Sequence, residues 1–302
     1  PLVYSYLKKL EQEIAHHPCR LIQSNGGSLS LSAAQEYPVK MVLSGPAAGV
    51  VGALKVAELA GFSQILSFDM GGTSTDVSLC DQVPTFTSES IVAGIPLKTP
   101  MIDIHTVGAG GGSIAWLDQG GALRVGPASA GANPGPICYG NQNDWITVTD
   151  ANLFLGRLAP DFFLGGEIKL TKDPLKEAFQ KLSQQMNCTP EEAALGILEV
   201  ANTNMERALR VVSIDRGFTP QDFTLVCFGG ASGLHACALA EKLTIPQILI
   251  PAHAGVLSAL GMLFAESVRD YSQTVSNRSL TDMSHINKYF AILNQKAQED
   301  FK

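Results

Sequence analysis

The stretch Ile65-Leu66-Ser67-Phe68-Asp69-Met70-Gly71-Gly72-Thr73-Ser74-Thr75-Asp76 decides how the rest of the chain is interpreted. An apolar strand at residues 65–68 delivers the carboxylate of Asp69, and two glycines and three hydroxyl residues follow. Glycines permit a tight turn whose backbone N–H groups converge, and such a nest of amides binds phosphate oxygens. An acid at the strand end can hold Mg²⁺ through water or orient a nucleophile. The stretch therefore predicts a phosphate-binding turn, with an ordinary glycine hairpin as the alternative.

Length and composition exclude several classes of protein. The chain has 302 residues, 45% hydrophobic and 16% charged, which suffices for one large domain or two moderate ones. A net charge of −7 without a dense Lys/Arg run argues against nucleic acid or anionic membrane as partners. We find no membrane span and no signal peptide, and six cysteines without CxxC spacing suit a reducing cytoplasm. Because the chain starts at Pro1, we interpret it as a fragment of a longer polypeptide.

Strand and helix patterns alternate along the chain, which predicts an α/β fold. Buried strands at residues 65–68, 77–80, 224–228 and 247–250 are separated by helical periods. The helices predicted at residues 44–54 and 254–263 are rich in small residues, and each glycine costs a helix about 1 kcal/mol against alanine. Close approach of another backbone would explain them. Residues 81–150 are dense in Gly and Pro and predict a β-rich insertion.

A second glycine turn, Gly229-Gly230-Ala231-Ser232-Gly233, lies between a strand and a helix, where a ligand can sit at the helix N-terminus. A serine nucleophile elbow, G-x-S-x-G, is the rival interpretation. It is disfavoured because Leu234 stands where the last glycine belongs and Ser232 has no identifiable acid/His pair. We interpret His235 as a buried, hydrogen-bonded residue.

A third glycine-rich segment, residues 108–113, invites a dinucleotide-binding interpretation. Ser113 replaces the third glycine and a strand follows instead of a helix, so a Rossmann site is disfavoured. We expect a close backbone approach, to a ligand or to another chain.

Asp103 and His105 fall on the same side of an extended chain. They could supply two ligands of a Zn²⁺ or Mn²⁺ site, with Cys138 or His253 as a third. The favoured alternative is an Asp–His hydrogen bond that braces the glycine loop.

Several blocks match one family in order and spacing over roughly residues 1–268. They are Ser24-Asn25-Gly26-Gly27, Ser44-Gly45-Pro46-Ala47-Ala48-Gly49, residues 69–76, Asp103-Ile104-His105-Thr106, residues 110–116, 124–127, 129–131, 134–136, 138–140, Thr149-Asp150-Ala151-Asn152 and Phe228-Gly229-Gly230-Ala231. The chain resembles the hydantoinase A/5-oxoprolinase family, which also includes subunits of acetone and acetophenone carboxylases.

The resemblance implies an actin-like ATPase fold, in which two ribonuclease-H-like domains clasp a nucleotide. Residues 1–43 would end the first domain, residues 44–270 would form the second with its insertion at about 81–150, and residues 271–302 would begin a C-terminal segment. The two helices rich in small residues would connect the domains. The turn at Asp69 would be the second phosphate loop, and the first would precede Pro1, so the isolated fragment is expected to be inactive.

The resemblance also implies ATP-dependent phosphorylation of the carbonyl oxygen of a cyclic amide, followed by ring opening. Asp69 and Thr73 would be catalytic, and Asp69 would hold Mg²⁺ through water. The expected nucleotide contacts are Gly71, Gly72, Thr73, Ser74 and Thr75 for phosphate, and Gly229, Gly230, Ala231 and Ser232 for the nucleoside; Ser232-Gly233 replace the family's usual Gly-Pro. A hydantoinase B-like subunit or domain and a cytoplasmic oligomer are expected. The alternatives are a ketone carboxylase subunit and a non-catalytic nucleotide-binding module.

Overall fold

The structure is a computed structural model that describes residues 2–14, 17–92, 94–141, 143–275 and 283–300. The helices of these residues are α1 (Leu2–Glu13), α2 (Leu31–Glu36), α3 (Ser44–Leu59), α4 (Val148–Phe154), α5 (Asp173–Met186), α6 (Pro190–Val212), α7 (Ala236–Leu243), α8 (Leu257–Phe264) and α9 (Met283–Asp300). The strands are β1 (Arg20–Ile22), β2 (Ser28–Ser30), β3 (Gln64–Met70), β4 (Thr75–Asp81), β5 (Val83–Pro84), β6 (Phe86–Thr87), β7 (Ser90–Val92), β8 (Ile95–Leu97), β9 (Met101–Ile102), β10 (His105–Val107), β11 (Ser113–Leu117), β12 (Leu123–Ser129), β13 (Thr224–Phe228) and β14 (Gln247–Leu249).

The chain divides into two compact units, Pro1–Ser44, Ser88–Met101 and Ala265–Lys302 in the first, Gly45–Thr87 and Ile102–Phe264 in the second. The assignment of residues 1–43 and 44–270 to two actin-like domains stays a prediction. Of the predicted C-terminal segment 271–302, residues 276–282 and 301–302 lie outside the described residues.

In the first unit, the antiparallel strands β1 and β2 are joined by the Asn25-Gly26-Gly27 turn. The amide of Asn25 donates to Asp270 at 2.7 Å, and that of Gln23 donates to the carbonyl of Val268 at 2.8 Å. These bonds tie the segment after α8 to the hairpin. Leu7, Leu29 and Ala34 form the unit's small core.

The second unit is built on a six-stranded sheet in the order β10-β4-β3-β13-β14, with β5 paired to β4. Strands β3, β13 and β14 run parallel, and β4 returns antiparallel to β3. Side chains alternate between faces: Leu66, Phe68 and Met70 join the core that includes α4 to α7, whereas Ile65 packs with α3 and α8. Helices therefore cover both faces of the sheet, and the predicted α/β fold is confirmed.

The small residues of α3 and α8 have the predicted explanation. A Cβ on Gly52 would lie 2.7 Å from the carbonyl oxygen of Leu257, and a Cβ on Gly261 would overlap the carbonyl oxygen of Ala48. The two helices thus approach to a distance that only glycine permits at these positions.

Residues 81–150 contain the short strands β5 to β12 and end in α4. The assignment of these residues to an insertion stays a prediction. No helix among the described residues is long and apolar enough to cross a membrane.

Candidate functional site: the glycine turn at residues 71–74 and the loop at residues 108–113

The hairpin of β3 and β4 positions the predicted phosphate turn. Asp69 lies directly opposite Asp76 and Met70 opposite Thr75, so the turn consists of the four residues between these pairs. The amide of Gly71 donates to the carbonyl of Ser74 at 3.1 Å and closes the turn. A Cβ on Gly72 would meet no atom within 4 Å. Gly72 therefore leaves open space beside the backbone.

Two carbonyl groups of the turn accept hydrogen bonds from the glycine-rich loop at residues 108–113. The amide of Gly111 donates to the carbonyl of Gly71 at 3.0 Å, and that of Gly112 donates to the carbonyl of Gly72 at 2.6 Å. In a trans peptide the C=O and the following N–H point in opposite directions. The N–H groups of Gly72 and Thr73 therefore point away from the loop.

Three consecutive amides of the turn are free of protein partners. Within the described part of the chain, the N–H groups of Gly72, Thr73 and Ser74 donate no hydrogen bond, and Gly72 and Thr73 are exposed. Adjacent unpaired backbone amides form an anion-binding concavity. The geometry at this turn is suited to phosphate oxygens.

Thr75 has a different environment from its neighbours. Its side chain is fully buried, and its hydroxyl donates to the carbonyl of Ala109 at 2.6 Å. The expected phosphate contact of Thr75 is corrected accordingly, because the hydroxyl braces the turn against the glycine loop.

The glycines at residues 108–113 pack against the turn itself. A close backbone approach is therefore present, but it is made within the same chain, and not to a ligand or to another chain as predicted. A Cβ on Gly110 would lie 2.7 Å from the backbone of Gly72 and Thr73. A Cβ on Gly112 would lie 3.0 Å from the carbonyl oxygen of Gly72. Glycine is required here by the neighbouring backbone, since neither residue has a positive φ.

Asp69 and Asp76 form a pair of half-buried carboxylates on one face of the hairpin. Burial raises the pKa of Asp69 to about 6, and the neighbouring charge of Asp76 adds to this rise. Burial also raises the pKa of Asp76, although the Thr106 hydroxyl, which donates to Asp76 Oδ1 at 2.5 Å, opposes it. Within the described residues neither carboxylate has a Lys or Arg partner. Two such oxygen donors are suited to a hard divalent cation.

The second predicted loop, residues 229–232, lies against the first. Strand β13 places Phe228 opposite Asp69, and the amide of Ala231 donates to the carbonyl of Met70 at 3.0 Å. Gly229 has φ +83°, and a Cβ there would lie 2.5 Å from the carbonyl oxygen of Met70. The structure thus brings the predicted phosphate and nucleoside loops into contact.

The environment of His235 gives the serine-elbow interpretation no support. Its Nδ1 lies 2.6 Å from Asn202 Oδ1, and its Nε2 is buried without a partner among the described residues. Burial lowers the pKa of His235 to about 4, and the charge of Arg157 contributes, so the imidazole is neutral at pH 7. The expectation of a buried, hydrogen-bonded histidine is confirmed, and Ser232 is itself buried.

Asp103 and His105 do not form the predicted metal pair or the Asp–His brace. The carboxylate of Asp103 is paired with the guanidinium of Arg216, and His105 lies opposite Val77 in the sheet. Among the described residues no three His, Cys, Asp or Glu side chains are grouped closely enough to hold a metal ion. The ion pair with Arg216 therefore replaces both earlier interpretations of Asp103.

Sequence reasoning missed the buried carboxylate of Asp150. It accepts hydrogen bonds from the amides of Ile137 and Cys138, and from both the amide and hydroxyl of Thr147. Thr147 and Asp150 form a capping box at the start of α4. The Thr-x-x-Asp spacing was the available signal.

Comparison with known proteins agrees with this architecture. The sequence profile described as Hydantoinase/oxoprolinase matches residues 1–271. The chain belongs to the hydantoinase/oxoprolinase family. Caprolactamase subunit alpha of Pseudomonas jessenii is 38% identical over 100% of this chain and 45% of its own length. The 5-oxoprolinase PfmaA of Pestalotiopsis fici is 43% identical over 88% of this chain and 22% of its own length.

Two solved structures share the fold. The ATP-dependent caprolactamase from Pseudomonas jessenii has a TM-score of 0.83 at 35% identity, covering 99% of this chain and 45% of that one. Nucleotide-free acetone carboxylase has a TM-score of 0.79 at 28% identity, covering 99% and 44%. These neighbours have the actin-like ATPase type of fold, as the sequence predicted. This family member spans less than half the length of the relatives it matches.

Proposed function

We propose that this chain is the nucleotide-binding part of an enzyme that uses ATP to hydrolyse a cyclic amide. The observation that carries the proposal is the row of three free amides at residues 72–74 beside the carboxylates of Asp69 and Asp76. The arrangement offers donors to phosphate and oxygen ligands to a cation at one place.

Both the backbone and the side chains of the turn would donate hydrogen bonds to the phosphate. The amides of Gly72, Thr73 and Ser74 would donate to phosphate oxygens, and the hydroxyls of Thr73 and Ser74 would add two donors. Gly71 would serve the turn geometry, since its amide is already bound to Ser74.

The nucleoside would lie at residues 229–232. Ala231 uses its amide on the carbonyl of Met70, so this loop is attached to the end of β3. A Cβ on Gly230 would meet no atom within 4 Å, which leaves space on that side of the loop. Gly229, Gly230, Ala231 and Ser232 would thus shape the nucleoside contact mainly through their backbone.

Asp69 and Asp76 would hold Mg²⁺ through water. When bound, this ion supplies neutralisation of the charge that develops on the transferred phosphoryl group. With a pKa of about 6, Asp69 is mostly ionised at pH 7 and can accept the proton that a water molecule loses when it attacks the carbonyl carbon of the phosphorylated amide. Thr73, on the exposed side of the turn, would contact the reacting phosphate.

A cyclic amide is the substrate class favoured over a ketone. The relatives named caprolactamase and 5-oxoprolinase are 38% and 43% identical, whereas the acetone carboxylase structure is 28% identical. Phosphorylation of the amide oxygen would make the ring carbon electrophilic. The name "subunit alpha" supports a further subunit, and we propose a hydantoinase B-like partner in a cytoplasmic oligomer.

The test uses the complete protein with its partner subunit, assayed for ATP hydrolysis with 5-oxoproline, hydantoin, caprolactam or acetone. We expect a cyclic amide to stimulate hydrolysis, and Asp69→Ala to reduce the stimulated rate by about 10²-fold or more. Unchanged stimulated hydrolysis in Asp69→Ala would refute the role of Asp69. Stimulation by acetone and by none of the cyclic amides would favour a ketone carboxylase subunit. A higher thermal midpoint with Mg-ATP, without ATP hydrolysis, would favour a non-catalytic nucleotide-binding module.

A further inference from the structure

Hydrogen bonds link Thr149, in helix α4, to the turn at residues 71–74 through one intermediate peptide group. Both the amide and the hydroxyl of Thr149 donate to the carbonyl of Gly111, at 2.7 and 2.8 Å. This carbonyl and the N–H of Gly112 belong to one peptide group, and that N–H donates to the carbonyl of Gly72 at 2.6 Å. A continuous chain of hydrogen bonds therefore runs from the first turn of α4 to the turn at residues 71–74.

These hydrogen bonds orient a backbone amide that we propose to bind phosphate. The carbonyl of Gly72 and the N–H of Thr73 belong to one rigid peptide plane, so fixing the carbonyl fixes the direction of the N–H. The N–H of Thr73 is the second of the three free amides. The peptide group between Gly111 and Gly112 therefore sets the direction of this donor, and Thr149 holds that peptide group in place.

Helix α4 is a firm support for Thr149. The neighbouring Asp150 is fully buried, and its carboxylate accepts hydrogen bonds from the backbone of residues 137, 138 and 147. None of these bonds uses the donors of Thr149. The hydroxyl of Thr149 is therefore fixed in place while remaining directed at the glycine loop.

Steric contact adds to the hydrogen bonds. A Cβ on Gly111 would lie 2.8 Å from Thr149 Oγ1, which is closer than real Cβ atoms approach. Gly111 and Thr149 thus fit each other as a pair, and a larger residue at position 111 would move the loop that supports the turn.

We propose that Thr149 is a positioning residue of the phosphate site, which aligns the Thr73 amide through the peptide group between Gly111 and Gly112. The proposal rests on the proposed function only in that the turn binds the phosphates of a nucleotide. Thr149 makes no contact with phosphate in this scheme. It reduces the freedom of the donor that does.

The experiment compares Thr149→Val with Thr171→Val in the complete protein. The control removes a hydroxyl bond of the same kind, because Thr171 Oγ1 donates to the carbonyl of Cys138 at 3.2 Å in the same unit. Affinities for Mg-ATP and for Mg-pyrophosphate are measured by calorimetry, and the thermal midpoint is measured without ligand.

We expect Thr149→Val to weaken both ligands by about fivefold, the worth of one hydrogen bond, and Thr171→Val to change neither by more than about twofold. Thr149→Ser, which keeps the hydroxyl, should restore the affinity. Equal affinities of the two valine variants at similar thermal midpoints would overturn the proposal. If the unmodified protein binds neither ligand, the proposed function itself fails.

A double-mutant cycle keeps the test decisive if Thr149→Val does not fold. Gly111→Ala should weaken Mg-pyrophosphate by more than about tenfold, because its Cβ displaces the loop. Adding Thr149→Ala removes the oxygen that the Cβ would meet, so the double variant should bind more tightly than Gly111→Ala alone. Additive losses would contradict the pairing of these residues.

Discussion

The glycine-rich turn at residues 71–74 and the glycine-rich loop at residues 108–113 lie against each other and use their amides in opposite ways. In the loop, the N–H groups of Ala109, Gly110, Gly111, Gly112 and Ser113 all donate to protein oxygens. In the turn, only Gly71 does so within the described residues. The donors of the loop therefore stabilise the fold, whereas three donors of the turn are free for the phosphate contact that we propose.

This difference separates two reasons for a run of glycines. Gly110 is glycine because a Cβ would meet the backbone of residues 72 and 73, whereas a Cβ on Gly72 would meet nothing. The number of glycines does not indicate a binding site. Free donors beside open space do, and only the three-dimensional structure shows which donors are free.

The largest expected effect is on stability, when one glycine of each segment is replaced by alanine. Gly110→Ala should destabilise the protein by about 3 kcal/mol, because the backbone of the turn would have to move. Gly72→Ala should change stability by less than about 0.5 kcal/mol. Thermal midpoints of the complete protein without ligand provide the measurement. Equal losses would remove the distinction between the two segments.

Local sequence patterns predicted much of the fold. The strand at residues 224–228 has the predicted bounds, and the glycines of α3 mark a close helix contact. The strand is predictable from residues that are adjacent in the sequence. The helix glycines predict that another backbone lies close, although they do not say which one.

The contacts that complete the site join residues far apart in the chain and were not predictable in this way. Thr75 has a hydroxyl like the two residues before it, and only the fold directs it at Ala109, 34 residues away. Asp103 was interpreted with His105 because they are close in sequence, but its charge is neutralised by Arg216. The pattern of the glycine loop predicts a close approach to a ligand or to another chain, whereas the loop packs against the turn of the same chain.

A serine in each segment provides a second, smaller test. Ser113 Oγ is buried and accepts the Gly110 amide at 2.8 Å, so Ser113→Ala leaves a buried donor unpaired and should cost about 2 kcal/mol. Ser74 makes no side-chain hydrogen bond within the described residues. Ser74→Ala should therefore keep its thermal midpoint and lose about fivefold in Mg-ATP affinity. The opposite pattern, with Ser74→Ala unstable and Ser113→Ala impaired only in binding, would reverse the assignment of the segments.

The smallest effect concerns the charge that the turn carries at its base. The folded pKa of Asp69, about 6, lies above the ordinary value of 3.8, so the native state binds more protons than the unfolded chain between these values. The free energy of unfolding therefore falls as pH rises through this window. Asp69→Asn should remove that slope and raise stability at pH 7 by about 1 kcal/mol, after allowance for partial exposure.

Asp118 provides a control of opposite sign in the same unit. The amide of Ala122 and the side chain of Arg124 hold the pKa of Asp118 below its ordinary value. Its stabilising contribution is therefore present above the unfolded pKa and is lost as pH falls. Asp118→Asn should lower the thermal midpoint at pH 7, whereas Asp69→Asn should raise it.

The buried charge of Asp69 destabilises the protein when no ligand is bound, and a bound cation would neutralise this charge. Mg-ATP should therefore raise the thermal midpoint of the unmodified protein more than that of Asp69→Asn. If both variants shifted the thermal midpoint in the same direction, burial of Asp69 without a counter-ion would not explain how the turn differs from the rest of the unit.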